Sequence, residues 1–430
     1  MTRRTSPISV AAGLVTALAL AGCGQAGQGN TTGEDGRTQL TMWTHSAGNA
    51  AELAVYEKII TDFNASQDEY EVVHESFPQG AYNDAIVAAA ASGDLPCLLD
   101  LDGPIMPNWA WAQYLQPLNI STDITDSLLP TAVGVWDGEI YSAGYWDAAL
   151  SIFARKSVLD ANGIRIPSTD QPWTASEFDA ALSTLQDAGY DTPIDIGAED
   201  TGEWWPYAYS PLLQSFGGDL IDRDTMLTAD GALNGDDAVA WGTWFQNLFA
   251  EGYASNAGTI GNQEFVDDEV ALSYTGVWNA LESVEAIGDD LLILPPPDFG
   301  NGPKIGGGSW QWAISSSCND AEGARQYLEF SFNDEYITEF ADNQIVIPAT
   351  EAAAQASEYF GDDGVLRPFV ELSQKYAVLR PETPAYAVIS TTFETAAKNI
   401  MSGADVTATL DQAVADIDAN IASNDGYGFQ

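Results

Sequence analysis

From residue 39 onward the chain alternates short β-prone runs with segments whose apolar residues recur every three or four positions. Residues 39–44 (QLTMWT) are the first run. Leu53, Tyr56, Ile59, Ile60 and Phe63 then share one face of a helix over 51–63. Residues 70–77 read as a strand, 83–92 as an alanine-rich helix, 98–101 as a strand and 108–114 as a short aromatic helix. Strand–helix–strand–helix–strand predicts a parallel sheet with crossover helices. A second set follows: a strand at 148–153, a helix at 174–185, an extended piece at 193–196 and a helix at 237–250 stopped by Gly252. Thr174 and Glu177 are spaced as a capping box. Strands are predicted at 270–274, 291–294 and 306–315, and a helix from near Asn319. Two amphipathic helices close the chain, one through Tyr386, Ile389, Phe393 and Ile400, the other through Leu410, Val414, Ile417 and Ile421. No repeat of solenoid or propeller length is visible. The pattern predicts an α/β fold of two lobes, with the chain crossing near 145–149 and again near 302–308.

Composition narrows the functional classes. The 430 residues include 63 acidic and 14 basic ones, a formal charge of −49. So anionic a surface repels phosphate backbones and anionic lipid, which argues against nucleic-acid binding and basic-patch membrane adhesion. An apolar content of 45% is too high for a disordered acidic chain. Three cysteines and two histidines do not make a disulfide scaffold or a Cys/His metal protein. Cofactors and metals are not expected.

The first residues read as an address. Arg3 and Arg4 precede an apolar run at 8–20, too short to span a bilayer comfortably, and residues 1–22 are read as a signal peptide. Leu20-Ala21-Gly22-Cys23 resembles the bacterial lipobox. That resemblance implies cleavage before Cys23 and its lipidation, so that the protein is held at the cell membrane facing outside the cytoplasm. Cleavage removes two arginines and no acid, leaving a still more acidic chain. Residues 23–36, rich in Gly, Gln, Asn and Thr, are read as a flexible tether. Cys97 and Cys318 remain, an even pair in a disulfide-permissive compartment, either bridged or buried as free thiols.

Catalytic signatures are sparse. GxxxxGK[ST], GxSxG, HExxH and a full GxGxxG are all missing, and His45 and His74 lie in different segments. Among 63 carboxylates no pair is singled out for glycoside hydrolysis. Tryptophan stands out instead: there are 13, many at strand ends or in loops. Trp43 ends the first strand, Trp146 flanks the crossing, Trp204, Trp205 and Tyr207 form a cluster read as a loop, and Trp310 follows a triple glycine. In α/β folds ligands bind beyond the carboxyl ends of strands. A sugar ring offers an apolar face to tryptophan and hydroxyls to carboxylates, so the combination suggests a carbohydrate site. Any single tryptophan is more often core than contact.

Several segments, taken in order, resemble one family. They are LTMWTHSAGNAAELAVYEKIITDFNAS at the start, SGDLPCLLDLDGP followed by YLQPL, PWTASEFDAAL, VALSYTGVW, GGGSWQWAIS and RPETPAYAVISTTFETAAKNIMSGADVTATLDQA. The match, roughly residues 39–421, is to the extracellular solute-binding proteins of bacterial carbohydrate ABC transporters, the maltose-binding-protein-like group. The resemblance implies a two-lobed periplasmic-binding-protein fold of type II, with residues 37–148 and 305–360 in one lobe and 149–304 and 361–430 in the other. It implies a ligand cleft between lobes that close on a di- or oligosaccharide. The partners implied are a membrane permease with cytoplasmic ATPase subunits, and the protein is expected to be a monomer without enzymatic activity. The ligand-binding residues it suggests are Trp43, His45, Asp102, Asp147, Trp205, Tyr207, Trp278, Gly308, Trp310 and Arg380. It also places Cys97 and Cys318 at the ends of neighbouring antiparallel strands, close enough for a disulfide. The competing readings are a secreted glycoside-active enzyme and a binding protein for a non-sugar solute.

Overall fold

A computed structural model describes residues 32–33, 36–257 and 262–429. The segment read as a signal peptide, Cys23 and most of the segment read as a tether lie outside them. Strands β1 (Thr38–Thr44), β2 (Tyr70–Ser76) and β3 (Leu98–Asp102) pair in parallel, β1 between the other two. The helices between them are the crossovers. Ala50–Ser66 buries Val55, Tyr56, Ile59, Ile60 and Phe63 against the sheet, and Gln79–Ser92 buries Tyr82, Ile86 and Ala89. Asn49 caps the first by accepting the Glu52 N–H. The short strand β4 (Leu115–Gln116) and the hairpin β5 (Val133–Trp136) and β6 (Glu139–Ala143) follow.

The chain then leaves through β7 (Trp146–Asp147) and enters a second sheet at β8 (Leu150–Arg155). That sheet runs in the order β11 (Leu291–Leu294), β8, β10 (Leu272–Gly276), β9 (Ile194–Asp195). The chain returns through β12 (Ile305–Gly306) to β13 (Trp310–Ser315), which inserts antiparallel between β3 and β6 and completes the first sheet. The sequence predicts one strand over 306–315, but Gly307 and Gly308 break it, with Gly308 at φ +113°, where glycine is favoured. A third passage follows β14 (Ile347–Pro348), which pairs with β7, and reaches β15 (Ala377–Val378), which pairs with β12. The helix Asp334–Gln344, just before β14, and the helix Arg367–Tyr376, just before β15, were not foreseen from sequence.

One carboxylate ties these passages together. Asp147 Oδ1 accepts the N–H of Ala148 (2.9 Å) and of Gly308 (2.7 Å), while Oδ2 accepts Thr131 Oγ1 (2.9 Å) and Ser373 Oγ (2.8 Å). Three of its donors come from the outgoing, the returning and the third crossing segments, and the fourth, Thr131, from a turn of the first lobe just before β5. Burial pushes its carboxyl upward, and the four donors oppose that.

The capping box at Thr174 and Glu177 forms as the spacing predicts and starts the helix Ala175–Asp187. Cys97, just before β3, and Cys318, just after β13, are joined in a disulfide with Cα atoms 4.3 Å apart. Past the last long helix, Val406–Ser423, the chain reaches back to the first sheet. There Tyr427 packs on Trp111 (centroids 4.8 Å apart) and Phe429 on Trp136 (5.6 Å).

Candidate functional site

The carboxyl ends of β1 and β3 and the start of β13 face a cleft of about 420 Å³, whose far wall comes from the second sheet and its helices. Of the residues suggested by sequence, His45, Asp102, Tyr207, Trp278, Gly308, Trp310 and Arg380 line it.

Trp310 opens β13 opposite Asp102 in register. Its indole is stacked on the His45 imidazole, with centroids 3.5 Å apart and planes 12° apart. The His45 ring is anchored behind by donating Nδ1–H to Asp100 (2.7 Å), with the Glu52 carboxylate 3.9 Å from Nε2. Burial alone would lower the His45 pKa; Asp100, with Glu52 and Asp102, outweighs it and moves the ring upward. Burial likewise raises the Glu52 carboxyl, with His45 opposing.

On the opposite wall Trp278 follows β10 in a 3₁₀ turn, Val277–Asn279, and is 40% exposed. Its ring folds back over Gly276, where a Cβ would lie 2.2 Å from it, so only glycine leaves that orientation open. Trp204 and Tyr207 pack beside it, each about 6.3 Å from it centroid to centroid. These belong to the helix Trp204–Phe216, not to a loop. Pro206 sits in the first turn, where no N–H partner is needed, and Pro211 leaves the Tyr207 carbonyl without its usual donor. Gly306 approaches that same oxygen, 2.4 Å from where a Cβ would be.

The helix corrects one assignment. Trp205 is fully buried in the core, edge-on to Tyr209 (5.0 Å), with its Nε1–H donated to the Asp200 carbonyl (2.9 Å). Residues three apart share a helix face, so Trp204 accompanies Tyr207 into the cleft and Trp205 turns inward. Trp43 is also displaced: its side chain leaves the cleft for Phe77, 4.7 Å away. Asp147 is fully buried and its oxygens are occupied by the hinge donors, so it is not free to meet a ligand.

Arg380 lies at the floor of the cleft and is 7% exposed. Its Nη1 donates to Asp102 (2.8 Å) and Glu203 (2.7 Å), and its Nη2 donates to Asp102 (2.7 Å). Asp102 belongs to the first sheet and Glu203 to the second lobe's helix, so the guanidinium bridges the two sides. Glu203 also accepts from Tyr386 Oη (2.6 Å) and Ser390 Oγ. Burial pushes Asp102 upward and Arg380 pulls against it; Arg380 itself is held charged by Asp102, Tyr386 and Glu203 despite its burial.

Ser309, Asp200 and Gln344 also line the cleft and were not suggested by sequence; Trp146, noted there among the tryptophans at the crossing, lines it too. Gln344 comes from the unforeseen helix, and Ser309 sits between the two residues that had been chosen. Outside the cleft, Asp195 on β9 accepts the Gly197 N–H (2.9 Å). A Cβ at Gly197, φ +69°, would lie 3.0 Å from the Trp204 ring, so this turn supports the cleft wall. Burial pushes the Asp195 carboxyl up to about 6, with Glu199 and Glu264 adding to it. Among the described residues, no group of His, Cys, Asp and Glu is placed to hold a metal, and no helix is long and apolar enough to cross a membrane.

A cleft between two α/β lobes joined by three crossing segments defines a solute-binding protein of the periplasmic type. Residues 58–365 match the family model of bacterial extracellular solute-binding proteins, and the chain belongs to that family. Solved structures share the fold. The cyclic α-maltosyl-1,6-maltose binding protein of Arthrobacter globiformis is similar, with TM-score 0.75, 22% identity, 90% of this chain and 100% of that one covered. So is the GacH receptor of Streptomyces glaucescens, solved unliganded and with acarbose (TM-score 0.73, 19% identity, 91% and 99% covered). A third is the maltose/maltodextrin-binding domain of Bdellovibrio bacteriovorus bound to maltotriose (TM-score 0.72, 16% identity, 90% and 100% covered). No curated protein sequence matches the chain. The fold is thus the two-lobed, maltose-binding-protein-like form that the sequence motifs imply.

Proposed function

We propose that the protein captures a carbohydrate, a di- or oligosaccharide, for an ABC importer and hands it to a membrane permease driven by cytoplasmic ATPase subunits. It acts as a monomer, performs no chemistry on the sugar, and is anchored outside the cytoplasm through lipid on Cys23. The lobes are residues 37–148 with 305–360 and residues 149–304 with 361–430. The observation that carries the reading is the pair of aromatic walls: Trp310 on one side and Trp204, Tyr207 and Trp278 on the other, around a cleft of about 420 Å³. A volume of this size suits a small ligand, and indole faces suit the C–H face of a pyranose. The sugar ligands named for the similar solved structures support the same class.

Closure would bury the sugar on both faces, so binding shifts the lobes toward the closed form. A thermal-shift screen over mono- and disaccharides tests this. A micromolar binder at 100-fold excess over its Kd stabilises by about 2.7 kcal/mol and raises the melting temperature. Trp278→Ala is expected to abolish that rise while leaving the unliganded protein folded, because the ring lies at the surface of the cleft and is 40% exposed. A blank with every sugar sinks the proposal; a shift that survives Trp278→Ala removes Trp278 from the site.

A further inference from the structure

The cleft walls carry more negative than positive charge, and the positive groups are already matched. Glu52, Asp102, Asp200 and Glu203 line the cleft, Asp100 lies behind His45, and the cations are His45 and Arg380. Both terminal nitrogens of Arg380 are engaged by Asp102 and Glu203, and His45 is engaged by Asp100. No lysine is among the described residues that line the space. A carboxylate, phosphate or sulfate entering here would meet fixed negative charge with no free cation to receive it, at low dielectric, where repulsion is strong.

A second observation concerns unpaired polar groups beside the cleft. Tyr207 Oη, Ser309 Oγ, Gln344 Nε2 and Arg380 Nε have no hydrogen-bond partner in the protein, and all four residues line the cleft. Tyr207, Ser309 and Arg380 are more than nine-tenths buried. Arg380 Nε and Gln344 Nε2 can only donate, so they call for acceptor oxygens; Tyr207 and Ser309 can donate or accept. These four atoms have almost no surface open to the cleft as it stands, so a ligand pairs them only where closure or a side-chain turn exposes them; hydroxyl and ring oxygens would then do so without bringing charge. Orphaned polar groups of this kind are costly unless a ligand or water pairs them.

Resting on the sugar-binding reading above, we propose that this cleft selects sugars by charge. It takes neutral sugars, admits an ammonium in place of a hydroxyl, and excludes sugars bearing carboxylate, phosphate or sulfate. Asp200 is the adjustable element. It is half-buried, and its carboxylate bonds only to the N–H of its neighbour Thr201 (2.7 Å), so it contributes charge without holding the lobes together.

The test is a titration of the full chain with disaccharides of the same linkage in neutral hexosyl, 2-amino and uronate forms, at 20 and 300 mM NaCl. The neutral and amino forms are expected to bind. The uronate should bind at least ten-fold more weakly at low salt, with the gap narrowing at high salt as screening sets in. Asp200→Lys should bring the uronate closer to the neutral sugar and weaken the amino sugar; Asp200→Asn, a near-isosteric change, should do so to a smaller degree. A uronate bound as tightly as its neutral counterpart at low salt overturns the inference, as does a charge preference untouched by both variants. A blank with neutral, amino and acidic sugars alike overturns the sugar-binding reading itself and this inference with it.

Discussion

Asp195 offers a quantitative test of the electrostatics beneath the cleft wall. It is a buried carboxylate on β9 without a cation beside it, and its pKa rises from 3.8 to about 6, chiefly through desolvation. A folded-state pKa above the unfolded one means that the charged form costs stability. The cost is fully present above pH 6 and disappears as pH falls through 6 toward 3.8. At 1.36 kcal/mol per unit, the shift amounts to ~3 kcal/mol at pH 7.5, ~1.6 at pH 5 and ~0.5 at pH 4. Asp195→Asn removes the charge and keeps the oxygen that accepts the Gly197 N–H. Its new amide lies across the sheet register from Ser273, whose buried hydroxyl has no partner. With an unfolding entropy of roughly 0.8 kcal/mol/K for a chain of this size, the variant should melt about 4 °C higher at pH 7.5. The difference should shrink to within error by pH 4. Differential scanning calorimetry of both proteins from pH 4 to 7.5 measures it. A variant less stable than its parent at pH 7.5, or a difference that does not change with pH, refutes the reasoning. The Gly197 turn and Trp204 should be undisturbed, so ligand affinity should not move.

Three further outcomes follow from the packing. Asp147→Asn keeps one acceptor oxygen and turns an N–H₂ toward two of the four donors; chemical denaturation should show a loss of ~2–4 kcal/mol, from two unmade hydrogen bonds and two buried donors left unpaired. Arg380→Leu strands the buried Asp102 carboxylate and should cost ~3–5 kcal/mol, while adding Asp102→Leu should recover much of it; a double variant whose loss equals the sum of the two single losses would show that the pair is not coupled. Reducing the Cys97–Cys318 bridge, or replacing both residues by serine, opens a loop of 221 residues and should lower stability by ~2–5 kcal/mol, read as a lower melting temperature in reductant.

Local signals in the chain carried the order of strands and helices, because apolar spacing reports the face each element buries. The Thr174–Glu177 capping box is self-contained within four residues and forms as spaced. The helix at Trp204–Phe216 was hidden by two prolines and a dense aromatic run, which suggest a loop when seen without the neighbours that bury them. Choosing Trp205 over Trp204 turned on a single residue of helical phase, which periodicity cannot fix in a segment apolar all round. Asp102 and Arg380 are 278 residues apart, so sequence could offer each as a ligand contact but not show that they engage each other. Asp147 shows the opposite limit: an acidic residue at a crossing suggests a ligand, and only the four converging donors reveal a structural knot.

The position of β13 has a consequence for how the molecule is made. It lies in the middle of the first sheet, between β3 and β6, yet it comes from residues 310–315. When the first 147 residues have emerged, β3 and β6 have no strand between them, and each presents an unpaired inner edge. The second sheet, from β8 to β11, is wholly encoded by residues 150–294 and can assemble meanwhile. The sheet that begins first in the sequence is therefore completed last, waiting on a strand of high contact order to close its centre. In that interval its two open edges are the part of the chain most prone to pairing with another copy.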